Sequence, residues 1–231
     1  MLRFTKRGRR VAALGVAGLG ACAVLAACSP VQMGAAAIVG NQRITVSSLD
    51  TQVSNLKTAV KPYGSSLPIT TAEMPNEVLS WLVRFSIMDQ VAASNGIAVT
   101  DAQSKAGLNS LSELASENGF SSVSELLLAN GVPPQMFDQV GRWEAQQTAF
   151  ALKNNGGKEP TSTAEQDAFT KAIDKAQCSA ASSLNIKISP QFGRFDYTAS
   201  SLSVVAVPNT LSQPAGIPSA ASTEGLTPAA C

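Results

Sequence analysis

Apolar positions along most of this chain recur with the period of a helix. Leu49, Val53, Leu56 and Val60 step by 4, 3 and 4, which predicts an amphipathic helix entered from Thr45 as N-cap and broken at Lys61-Pro62. Met74, Val78, Trp81, Phe85, Met88 and Ala92 follow the same period. Leu79, Leu82, Val83, Ile87 and Val91 widen that stripe, so this second helix is expected to be buried on more than one side and to stop at Gly96. Thr100-Asp101 opens a third helix with Leu108, Leu111 and Ala115. A short fourth carries Val123, Leu126 and Leu127. Pro133-Pro134 starts a fifth with Met136, Val140, Trp143 and Phe150 on one face, ended by Asn154 to Gly157. A sixth starts near Thr163 and carries Phe169, Ile173, Ala176 and Ala180.

The two ends of this helical run read differently. Ala36 to Val39 predicts a strand, Gly40-Asn41-Gln42 a turn, and Arg43-Ile44 a second short strand. Leu184 to Ile188 alternates as a strand does, and Leu202 to Val207 is another β-branched run. The fold class expected is therefore mainly α, with a small sheet built from N- and C-terminal segments. From 206 onward Pro, Ser, Ala and Thr dominate without periodicity, which predicts an extended tail over 206–231.

The first 27 residues belong to neither part. Arg3, Lys6, Arg7, Arg9 and Arg10 precede an apolar run from Val11 to Ala27, the layout of an export signal. The run is mostly Ala and Gly and short of the roughly 20 apolar residues that a membrane span needs. It ends in Leu25-Ala26-Ala27-Cys28, which resembles the bacterial lipobox. The resemblance implies cleavage before Cys28, a diacylglycerol on its thiol, and a tether over 28–35 holding the chain at the outer face of the cell membrane. The residues after Arg9-Arg10 lack the bulky pattern of a twin-arginine signal, so general secretion is the expected route.

Removing the leader changes the charge. Five of the 17 Lys and Arg residues lie in it and all 16 acidic residues lie beyond Cys28, which leaves 12 against 16 and a net charge of −4. An acidic body without a cationic cluster argues against a nucleic-acid partner. Cys28, Cys178 and Cys231 survive processing. Lipidation uses the first, so a Cys178–Cys231 disulfide is expected in an oxidising compartment, where it would pin the C-terminal tail. The chain has no histidine, which removes Ser-His-Asp and Cys-His catalysis and most zinc-ligand sets. No enzyme activity, metal or cofactor is expected.

Two segments flanking the helices carry a family pattern. Ala37-Ile38-Val39-Gly40-Asn41-Gln42-Arg43-Ile44-Thr45 is a strand, a Gly-containing turn and a strand ending Ile-Thr before a helix. Ile186-Lys187-Ile188-Ser189-Pro190-Gln191-Phe192-Gly193-Arg194-Phe195-Asp196 is a strand running into a Ser-Pro-x-Phe-Gly-x-Phe-Asp closing motif, with Gln191 where a basic residue is expected and Phe195 where Trp is common. Together they resemble the N-terminal domain of SurA/PrsA-type extracytoplasmic chaperones over about residues 36–205. Many members insert a parvulin prolyl isomerase before the closing helix. Here that junction is the short loop Asn154 to Pro160, and the histidines of a parvulin site are missing. The resemblance implies a chaperone module without isomerase activity, with unfolded or exported polypeptides as partners and no nucleotide.

Trp81, Phe85, Phe137 and Trp143 are the candidates for an apolar groove that holds such segments, since aromatics offer large adaptable contact. The same helical spacing also suits plain core packing. Glu113/Glu117 and Asp167/Asp174 fall on solvated helix faces, and Gly156-Gly157 lacks the pattern of a phosphate loop. The alternative to a chaperone-like binder is a structural lipoprotein that holds one folded envelope partner.

Overall fold

Thr45 ends one element and opens the next. In the computed structural model, which describes residues 34–197 and 202–207, it is the last residue of strand β2 (Gln42–Thr45), and its hydroxyl accepts from Ser48 N at 3.0 Å to cap helix α1 (Val46–Val60). Strand β1 (Ala35–Val39) pairs antiparallel with β2, Ile38 opposite Arg43 and Val39 opposite Gln42. Its inward residues are small, and Ala36 and Ala37 are fully buried against the helices. Gly40 makes the turn possible with φ +57°. A Cβ there would come within 2.8 Å of the Leu184 side chain, and Gly40 N donates to Leu184 O at 2.7 Å.

The helices follow the apolar stripes. They are α2 (Met74–Ser94), α3 (Asp101–Glu117), α4 (Val123–Ala129), α5 (Phe137–Asn154) and α6 (Thr163–Ser183). Thr100 and Gln103 form a capping box at α3, and Ser122 and Ser162 cap α4 and α6. Pro62 turns the end of α1 into a short 3-10 segment, and Pro134 does the same ahead of α5, which therefore starts at Phe137 rather than at the proline pair. Helix α2 is the axis of the core, burying Val78, Leu79, Val83, Ile87 and Met88 on several sides as its widened stripe predicts.

Helices α3 and α5 meet backbone to backbone. A Cβ on Gly107 would lie 2.4 Å from Gly141 O, and one on Gly141 would lie 2.3 Å from Ser104 O. No side chain fits at that crossing. Helix α6 docks through Gln177, whose amide donates to Gln147 Oε1 at 3.3 Å and approaches Met88 Sδ at 3.7 Å. Its buried residues are Gln177, Cys178 and Ala181. Phe169, read as part of the apolar face, is only half-buried near the exposed start of the helix.

The C-terminal strands differ from the expected single sheet. Helix α6 runs to Ser183, and the Leu184–Ile188 strand shrinks to β3 (Lys187–Ile188), paired antiparallel with β1 in the order β2-β1-β3. The run from Leu202 contributes β5 (Ser203–Val205), which pairs with β4 (Arg194–Asp196) as a separate two-stranded sheet. That sheet lies along α2: Val204 N donates to Ser80 Oγ at 2.8 Å and Arg84 Nε to Leu202 O at 3.2 Å. The described residues form one compact unit. Cys28, the tether before Gly34, Cys231 and nearly all of the 206–231 tail lie outside the described residues. Among the described residues no helix is long and apolar enough to cross a membrane.

Candidate functional site

Helices α2 and α5 each present residues at the same spacing to a common cleft. Leu82, Phe85, Ser86 and Asp89 face Gln139, Arg142, Trp143 and Gln146 at positions i, i+3, i+4 and i+7, and Gln42 and Ile44 of β2 close the third side. They enclose a cavity of about 230 Å³. Leu82, Phe85, Trp143 and Ile44 supply its apolar wall. Asp89 organises the polar rim, its Oδ1 accepting from Arg142 Nη2 at 2.5 Å and from Gln146 Nε2 at 2.9 Å. A wider adjoining cavity of about 630 Å³ shares Gln42, Ser86, Asp89 and Arg142 and runs on past the Gly40 turn to Ser183 and Leu184. The two form one cleft, apolar at one end and polar along its length.

The four sequence candidates divide. Phe85 and Trp143 line the cleft. Trp81 stands behind them, 9% exposed, with its ring 5.7 Å from Phe85 and 5.5 Å edge-on to Trp143, and its indole N–H donates to Asn130 O at 2.8 Å. The Arg84 guanidinium lies over the Trp81 ring, 5.0 Å from its centroid. Trp81 is thus a support that fixes the two lining rings. Phe137 does not reach the cleft: six residues before Trp143, it falls on another face of α5 and packs half-buried on the main core. Trp143 carries a buried indole N–H with no partner among the described residues.

Sequence reasoning did not identify Asp89, Gln139, Arg142 and Gln146. Polar residues on a helix read as solvent-facing, and only the matching i, i+3, i+4, i+7 spacing on two helices hints that they share a cleft. Glu144, next to Trp143 on α5, lies off the cleft and abuts Gly107 of α3. Burial pushes its carboxyl up to about 7. Among the described residues no group of acidic or cysteine side chains could hold a metal ion.

A family model for the SurA-like N-terminal domain matches residues 1–148. The chain belongs to that family. The match reaches well into α5 and so takes in the hairpin, α1, α2 and most of the cleft, while α6 and the closing strands lie beyond it. The mainly α fold with its small terminal sheets agrees with the membership. No curated protein and no solved structure matches the chain. The family places the protein among chaperone-type domains that handle polypeptides outside the cytoplasm.

Proposed function

We propose that this protein is an ATP-independent, chaperone-like binder of unfolded or exported polypeptides, held at the outer face of the cell membrane by a diacylated Cys28. The observation that carries the reading is the cleft between α2 and α5, where Phe85 and Trp143 form an apolar floor beside a hydrogen-bonding rim of Asp89, Arg142 and Gln146. An extended segment placed there would bury apolar side chains on the floor and satisfy backbone groups along the rim. Such contacts are weak and adaptable, which suits transient capture without sequence-specific readout. Catalysis is not part of the proposal, and neither is prolyl isomerase activity.

Two covalent features belong to the same reading. Diacylation of Cys28 supplies the two chains that stable anchoring requires. A Cys178–Cys231 disulfide would tie the chain end to α6, where Cys178 is 4% exposed. Intact mass of the membrane-extracted protein with and without reduction tests both.

Aggregation of a reduced, unfolded client followed by light scattering tests the function. The expected result is suppression at a few-fold molar excess of the protein, weakened several-fold by Phe85→Gln together with Trp143→Gln. No suppression at any ratio would overturn the reading. Capture of one stoichiometric folded partner in crosslinking would replace it with the structural-lipoprotein alternative.

A further inference from the structure

Ile38 is the one residue of β1 that does not pack inward, and its neighbours on both sides are cations. Arg43 of β2 and Lys187 of β3 are its cross-strand partners, so the three side chains stand in a row on the outer face of the sheet, away from the cleft. Arg43 and Lys187 are exposed, and Ile38 is half-buried. Residues 34–49 and 184–195, which build this sheet and the turn after it, contain Arg43, Lys187 and Arg194 and no acidic residue. Asp50 and Asp196 follow directly on these stretches, so the excess is local, three cations against two carboxylates, in a chain whose net charge past Cys28 is −4.

The row also lies beside Gly34, six residues after Cys28. A Cβ on Gly34, the first described residue, would sit 3.5 Å from Arg43 Nη2. Six residues from Cys28 to Gly34 span at most about 20 Å when fully extended. A lipid on Cys28 therefore holds Gly34, and the cationic face beside it, within reach of the headgroups.

We propose that the outer face of the sheet, Arg43–Ile38–Lys187, docks on the anionic phospholipid surface to which the chain is tethered, turning the cleft between α2 and α5 away from the membrane. The proposal rests on the anchoring of Cys28. The cations meet phosphate charge, and Ile38 contributes a small apolar contact between them. Docking on the sheet side leaves the opposite face of the sheet, with Gln42 and Ile44 in the cleft wall, open to clients.

Hydrogen exchange of the full lipidated chain, reconstituted on phosphatidylcholine vesicles with or without phosphatidylglycerol, tests this. Peptides covering 36–45 and 185–195 should exchange about tenfold more slowly on the anionic vesicles, an effect lost at high salt. The Arg43→Glu/Lys187→Glu variant should exchange alike on both. The main comparison uses the unaltered chain, so a folding defect in the variant cannot imitate the result. A chain that floats with both vesicles and exchanges equally on both overturns the docking face alone. A chain that floats with neither overturns the anchor and the face with it. Slowing by polyglutamate on neutral vesicles, without slowing by anionic lipid, would assign the face to acidic polypeptides and also overturn the proposal.

Discussion

Glu144 makes the stability of this fold depend on pH in a direction opposite to that of most carboxylates. It is half-buried on α5 against the backbone of α3: a Cβ on Gly107 would lie 3.2 Å from Glu144 Cβ, and its only perturbation is loss of water. Its carboxyl rises from 4.5 to about 7. A shift of that size corresponds to about 3 kcal/mol, reduced to about 2 kcal/mol by the water that still reaches the group. The folded protein holds more protons than the unfolded chain between these two values. Stability from this group is therefore complete below about pH 4.5 and is lost as pH rises through about 7. Glu144→Gln removes the titration and keeps the shape. Urea unfolding followed by far-UV circular dichroism at pH 5 and pH 8 reads the effect. The unaltered protein should lose about 2 kcal/mol more than the variant between the two values. Burial also raises Glu77 and Asp174, so the difference between the two proteins is the reading and not either slope alone. Equal losses in both proteins would refute the reasoning.

Three further substitutions probe the frame of the cleft. Gly107→Ala sets a methyl against Gly141 O at the α3–α5 crossing, and overpacking of about 1–3 kcal/mol should outweigh the gain in helix propensity, seen as a lower urea midpoint. Ser80→Ala leaves the buried Val204 N–H without its acceptor and should cost about 1–3 kcal/mol, with faster hydrogen exchange in 202–207 than elsewhere. Trp81→Phe loses the bond to Asn130 O and part of the ring stack, about 1–2 kcal/mol, and leaves Trp143 as the sole tryptophan, whose emission then reports on the cleft floor.

Helices are the part of this fold most legible in the sequence, because each carries a repeating apolar stripe and several carry a visible cap, as at Thr45 and Thr100. The Ile-Thr end of the first hairpin and its Gly40 turn are legible for the same local reason. Strand pairing is not. Lys187-Ile188 is too short to show alternation, and Leu184 is drawn to the end of α6 by its contact with Gly40, which no local pattern records. The choice of Arg194–Asp196 as partner for Ser203–Val205, and of α2 as their support, depends on Ser80 and Arg84 more than a hundred residues away. The cleft is half legible. Aromatic spacing finds Phe85 and Trp143, but it cannot separate them from Trp81, which is core, or Phe137, which turns elsewhere. The rim of Asp89, Arg142 and Gln146 emerges only when two helices are set side by side.

Photocrosslinking from the rim of the cleft tests the central claim most directly. A photoreactive residue in place of exposed Gln139 borders the cavity, and one in place of exposed Ser110 borders a separate groove between α3 and α5. With an unfolded client in solution, crosslinks should form at position 139 several-fold more than at 110, and should vanish when the client is folded beforehand. Equal crosslinking at the two positions, or none at 139, would contradict the assignment of the cleft as the site that holds polypeptide.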